Sequence, residues 1–277
     1  MPLWLPNLAR GLVKPLAGTP LNRTHPLVNG LLGFWPLNGG GTYFRDALYG
    51  LTAAQVGAGI ISKGGLLTDV TADGSQVTAI PARFSGMVLP FTLGFRARVL
   101  ASSDNYATVC GIRYTNTNTN PYNVCLFYID AGGTLYLSTN DGGSTHQTLD
   151  STLIWSSYID KTINVIGTFT ATTRTIYLNG VLVVQSSGSY PNPAFGASPL
   201  WAMGQHSGGD GSPHAVIEWA GIWKRERLLS EIKVLTAAPY QMFAPPAWQR
   251  WPMDVPAGKA LPPFQRRWRH LNSSRLA

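Results

Sequence analysis

Charge is scarce in this sequence. Asp, Glu, Lys and Arg make up only 12% of the chain, about half the usual share for a globular protein. The interior therefore has to be organised by apolar patterning rather than by ion pairs. Cysteine is scarcer still, with Cys110 and Cys125 alone. Two cysteines in 277 residues do not make a disulfide framework, and no CxxC or His/Cys cluster points to zinc. The pair flanks a Thr/Asn-rich loop, so a bridge across a hairpin and two reduced core thiols both stand open. Long apolar runs are missing as well. Nothing approaches the ~20 residues of a membrane helix, so no membrane partner is expected. Pro2, Pro6 and Pro15 interrupt the start of the chain, which leaves no h-region for a secretory leader. Neither GxGxxG nor a P-loop occurs.

What is present is alternation. Ile163, Val165, Gly167 and Phe169 share one face of a strand, and Ile176 and Leu178 share a face of the next. Between Arg174–Leu178 and Val181–Gln185 stands Asn179-Gly180, the strongest short signal for a two-residue hairpin, because a type I′ turn needs positive φ at both positions. These runs specify a three-strand antiparallel meander over 162–185, with one face buried. Phe91, Leu93, Phe95, Ala97 and Val99 give another half-buried strand with Arg96 and Arg98 on its far side. Further strands are predicted at 33–38, 51–54, 84–88, 105–114, 122–130, 133–138, 200–204 and 215–223. One helix is predicted over Ser230–Thr236, N-capped by Ser230 with Glu231 in its first turn. Many strands, Gly-rich turns and one short helix specify an all-β antiparallel sandwich, a jelly roll.

The net charge of +8 is unevenly placed. Residues 1–27 hold Arg10, Lys14 and Arg23 and no acid, giving +3; residues 28–244 hold 12 bases and 12 acids, giving 0; residues 245–277 hold six bases against Asp254, giving +5. The ends are also rich in proline and aromatics, so we divide the chain into an extended N-terminal arm (1–27), a body (28–244) and a C-terminal arm (245–277). A nucleic-acid-binding fold would be expected to carry its basic stripe on the body, so nucleic acid is not the expected partner. Aromatic anchors interleaved with arginine suit a protein interface. The arm residues assigned to partner binding are Trp4, Leu5, Trp248, Arg250, Trp251, Phe264, Arg266, Arg267, Trp268 and Arg269.

Five ordered segments resemble the laminin-G-like/concanavalin-A-like jelly-roll superfamily: Gly30–Asn38 (GLLGFWPLN), Arg45–Ala54, Pro90–Val99, Ile163–Val184 and Trp219–Leu235. The run Ala238–Pro245 (APYQMFAP) resembles the ending of such domains in bacteriophage and prophage structural proteins. The resemblance implies a virion protein that decorates or attaches to capsid or tail, with neighbouring subunits or further copies of itself as partners. An alternative is a carbohydrate-binding module for host glycans, with Tyr190, Trp201, His206, Asp210 and His214 as an aromatic and polar platform; for Trp201, set in a strand, a core position is the other reading. Glucanases of the superfamily carry Glu-x-Asp-x-(x)-Glu on one strand, whose outer carboxylates flank the glycosidic bond. Glu218, Glu226 and Glu231 do not form that pattern, so the chain is expected not to be an enzyme. The acid pair common in the closing strand is also replaced, by Glu218-Trp219. Calcium is thus only weakly indicated, since Asp130–Gly133, Asn140–Gly143 and Gly208–Gly211 also read as plain turns.

Overall fold

The computed structural model describes residues 14–16, 19–38, 43–56, 60–62, 64–68, 74–77, 84, 87–104, 106–113, 123–140, 146–190, 192–193, 200–204 and 211–243. Sixteen strands and one α-helix lie among them. The strands are β1 (Leu31–Trp35), β2 (Tyr43–Arg45), β3 (Thr52–Val56), β4 (Ile60–Ser62), β5 (Gly65–Thr68), β6 (Gly74–Val77), β7 (Phe91–Val99), β8 (Ala107–Arg113), β9 (Asn123–Ile129), β10 (Thr134–Asn140), β11 (His146–Ile154), β12 (Thr162–Phe169), β13 (Thr173–Leu178), β14 (Val181–Ser187), β15 (Leu200–Met203) and β16 (Ala215–Trp223), and the helix is α1 (Leu229–Ala237). They form two antiparallel sheets. The first runs β14-β13-β12-β7-β16-β5-β4, with β1 also paired to β16; the second runs β11-β10-β9-β8-β15-β6-β3-β2.

Alternation places the core between the sheets as expected. Phe91, Leu93, Phe95, Ala97 and Val99 of β7 all enter it, with Ile163, Val165 and Phe169 of β12 and Ile176 of β13. The second sheet contributes Val109, Ile112, Phe127, Leu135 and Leu137. Asn179 and Gly180 have φ of 51° and 79°, and Leu178 pairs with Val181, so the two-residue hairpin has the backbone that its sequence requires.

The first sheet is also covered over the middle of its outer face. The outward residues Phe34, Ile166, Trp219 and Trp223 join Leu27, Val28, Leu31, Ile232, Leu235, Tyr240 and Met242 in a second apolar cluster. Phe34 stacks on Trp219 at 5.5 Å between centroids. The cover consists of α1, the 3₁₀ turn Pro26–Val28 and the segment through Phe243. This explains the near-continuous apolar run in the second half of β16, the pattern of a strand buried on two sides.

Several expectations are corrected. β11 and the short strands β4–β6 have no counterpart in the sequence reading. Residues 84–88 hold no strand among those described; Phe84 is buried in the core and the Leu89–Pro90 peptide is cis. The helix is N-capped by Leu228, not Ser230: Glu231 Oε2 accepts the Leu228 N–H at 3.1 Å, so the acid at the third helical position closes the first turn. The described residues of the expected N-terminal arm, 14–16 and 19–27, make contacts with the body. Lys14 Nζ donates to the Leu37 and Gly64 carbonyls, Asn38 Nδ2 donates to the Pro15 carbonyl, Asn22 N–H donates to Met242 O at 2.8 Å, and Leu21 bridges Phe243. Strand register sets Cys110 opposite Phe127 and Ile112 opposite Cys125, so the two cysteines do not face one another directly.

Candidate functional site

Of the five residues expected to form a sugar platform, the three that are described, Tyr190, Trp201 and His214, do not come together. Trp201 is fully buried, stacked on Trp35 at 4.6 Å with 14° between the planes; a ring with no solvent face cannot stack on a ligand, and this assignment is corrected to core. Tyr190 comes after β14, where its N–H donates to Ala171 O, beside the start of β7. His214 precedes β16, whose first residue pairs with Val99 at the end of β7. The length of β7 therefore separates the two, about 26 Å at ~3.3 Å per residue. His206 and Asp210 lie outside the described residues, as do all ten arm residues assigned to partner binding, Trp4, Leu5, Trp248, Arg250, Trp251, Phe264, Arg266, Arg267, Trp268 and Arg269.

At the Tyr190 end the ring is already occupied. The Arg174 guanidinium lies 4.1 Å from its centroid, and the Tyr190 hydroxyl bonds to Ser186 Oγ at 2.8 Å. Arg174 shares the inward face of β13 with Ile176 and donates to Thr139 Oγ1. Burial lowers its pKa to about 10, with Tyr190 acting in the opposite sense. This arrangement closes the end of the core.

The opposite end holds more chemistry on its surface. His214 Nε2 is 3.0 Å from Asp104 Oδ1, and Asp104 Oδ2 accepts the Ser212 N–H at 3.0 Å. Ser212 Oγ accepts the His214 backbone N–H at 3.2 Å and is buried, so the three residues fix a loop and do not form a nucleophilic triad. His214 itself holds φ of 45°.

Beside that loop, strand register lines up a row across the outer face of the second sheet. Thr108 of β8 pairs with Tyr128 of β9, Tyr128 with Tyr136 of β10, and Tyr136 with Asp150 of β11. Alternation forces all four outward, because Phe127, Ile129, Leu135 and Leu137 point into the core. The Tyr128 and Tyr136 rings stack at 5.3 Å and 17°. Asp130 closes the β9–β10 turn, its Oδ1 accepting the Thr134 N–H at 2.8 Å. Burial, then the Tyr136, Asp130, Tyr106 and Asp150 groups, pushes the Tyr128 hydroxyl up to about 12. Burial first, then Asp150 and Asp130, raises Tyr136 as well. Tyr106, at the mouth of β8, is 52% exposed, and Asp150 is also exposed. Three phenols and two carboxylates thus share one corner. Sequence reading misses it, although a signal is there: Tyr128 and Tyr136 sit symmetrically about the Asp130–Gly133 turn, in strands whose other residues alternate inward.

Among the described residues no three His, Cys, Asp or Glu side chains gather as metal ligands, and no helix is long and apolar enough to cross a membrane. Of the glutamates, Glu218 pairs with Arg96 at 2.8 Å and Glu231 with Arg225 and Arg227.

A laminin-G-like family, described as the concanavalin A-like lectin/glucanases superfamily, matches residues 72–233. No curated protein matches the chain. Among solved structures, Trypanosoma rangeli sialidase is similar with a TM-score of 0.57 and 15% identity, over 78% of this chain and 34% of that one. The same sialidase with sialic acid bound gives 0.56 and 15%, over the same shares. The receptor-binding domain of botulinum neurotoxin C/D mosaic serotype gives 0.54 and 13%, over 75% of this chain and 51% of that one. The chain thus spans about a third of the sialidase and half of the toxin domain, and at these identities the likeness is one of fold. It overturns the expectation that the chain is not an enzyme: the structures similar to it include sialidases, so a missing glucanase motif removes one chemistry and not catalysis as such. The matched stretch covers more than half of the sequence, and the chain belongs to the concanavalin A-like lectin/glucanases superfamily.

Proposed function

We propose that the protein recognises carbohydrate at the corner formed by Tyr106, Tyr128, Tyr136, Asp130 and Asp150. The observation that carries this reading is the in-register row Thr108–Tyr128–Tyr136–Asp150. Aromatic faces beside carboxylate acceptors suit a sugar, whose C–H face stacks while its hydroxyls donate. The superfamily and the sialic-acid-bound sialidase are consistent with it. His214 and Asp104 lie at the same end of the sandwich and add polar groups beside the row. A glycan array on the intact protein, then calorimetry with Tyr136→Ala, tests the reading. Loss of binding with an unchanged far-UV spectrum is expected; undiminished binding by the variant would move the site elsewhere.

A second reading rests on the sequence alone: attachment to a bacteriophage virion, on capsid or tail, through the ends. It is favoured by the charge distribution of +3, 0 and +5 and by the Ala238–Pro245 ending. Its partners would be acidic surfaces of neighbouring subunits or further copies of this chain. A protein ending at residue 244 should fold and fail to incorporate into particles; full incorporation would refute the reading. The two readings are compatible, since a particle-borne module can carry a glycan site.

A further inference from the structure

We propose that the tyrosine corner takes a sugar bearing a free ammonium group, a deacetylated amino sugar, with the ammonium held between the phenol faces and the carboxylates of Asp130 and Asp150. The inference rests on the glycan reading and narrows it to one ligand class.

An aromatic ring presents a negative face, and a cation over it is attracted, more so when partly desolvated. Here two rings stack on one another in register, each leaving for a cation only the face turned from its neighbour, and Tyr106 lies within electrostatic reach of Tyr128. Carboxylates flank them on both sides: Asp150 directly opposite Tyr136 on β11, and Asp130 at the turn joining the two tyrosine strands. Asp104 adds a third acid at the same end, engaged with His214. The described cations of that end are committed elsewhere. Lys161 lies over the Tyr158 ring and donates to Ser157 O, and Arg98 faces Asp160 on the outer side of the other sheet. The corner is therefore a negative place on a chain of positive net charge. A carboxylated sugar brought there would meet like charge with no compensating arginine among the described residues, and an ammonium would meet both a π face and an anion.

A second observation points to a ligand rather than to a solvated acidic edge. Thr108 Oγ1, opposite Tyr128, and Ser138 Oγ, next outward residue after Tyr136 on β10, are both fully buried and have no hydrogen-bond partner. Buried hydroxyls left without a partner are uncommon and call for a water or a ligand group. They have no solvent-facing surface, so a sugar hydroxyl or a water reaches them only if the neighbouring Tyr128 ring moves aside.

The test is calorimetric titration of the intact protein with four probes: a glucosamine tetramer, an N-acetylglucosamine tetramer, lactose and sialyllactose. The expected result is binding of the glucosamine tetramer at least ~10-fold tighter than its acetylated counterpart, weakening as salt is raised. Asp150→Asn, at an exposed position, should shrink that preference, and Asp130→Asn should do the same. Equal or tighter binding of the acetylated tetramer, lactose or sialyllactose would overturn the ammonium inference and leave the glycan reading standing. Binding of the glucosamine tetramer that neither Asp variant alters would also overturn it. If no oligosaccharide bound, here or on the array, the glycan reading itself would fall.

Discussion

Arg227 shows what one buried side chain can hold in a protein with few charges. Its guanidinium is fully enclosed and donates to the carbonyls of Leu27 at 2.7 Å and of Pro26 and Asn29 at 3.0 Å, while lying 5.0 Å from the Trp223 ring centroid. Burial, then Arg225, lowers its pKa to about 10, and Glu231 opposes the shift. Lysine cannot reproduce a planar fork over an indole. Arg227→Lys should cost about 2–4 kcal/mol, read as a lower urea midpoint at unchanged slope. Tyr128 supplies a pH dependence. Its native pKa is about 12 against 10 for an ordinary tyrosine, so between those values the native state keeps a proton that the unfolded chain has lost. The contribution is intact below pH 10 and disappears as pH rises through 12. Tyr128→Phe should flatten that part of the alkaline stability curve, checked by denaturant titrations across the range. At this scale the sequence is least informative. Nothing in the sequence marks Arg174 and Arg227 as buried, because their partners include backbone carbonyls, a hydroxyl and aromatic rings, none of which leaves a pattern in sequence.

Elements are more legible, for a definite reason. Where one face of a strand is buried, as in β7 and β12, alternation displays it; where the turn demands positive φ, as at Asn179-Gly180, the residues announce it. Replacing Gly180 by Ala should destabilise by about 1 kcal/mol, since φ there is 79°; a thermal melt checks it. β11 escapes because a polar residue breaks its inward face as well, Ser151 lying buried between Leu149 and Leu153. The short β4–β6 escape because three or four residues carry too little period. Glycine also marks the tightest packing. A Cβ on Gly221 would lie 2.8 Å from the Trp223 ring and 2.9 Å from Phe34. Gly221→Ala should cost about 1–3 kcal/mol by overpacking, visible as a lowered melting temperature with the fold retained.

For the whole molecule, two closely packed sheets and a covered outer face give a body that needs little charge to cohere. A protein ending at residue 244 should therefore keep a single cooperative unfolding transition; a non-cooperative melt would show that the body depends on residues 245–277. The jelly roll is readable from the ordered segments. The tyrosine corner is not, because residues near one another in the chain need not fall at the same end of the strands. Tyr190 and His214, 24 positions apart, sit at opposite poles, whereas Tyr106 and Asp150, farther apart in the chain, border the same row.

The bridge between Leu21 and Phe243 lies on the outer side of the first sheet, next to Phe34 and Tyr240, and the phenol row lies on the outer side of the second. If the proposed attachment uses the clasp and the proposed glycan site is the row, the two fall on opposite faces of the body. A carrier gripping the body near that clasp would hold the tyrosines toward the medium, and no ligand there would have to compete with the mount for space.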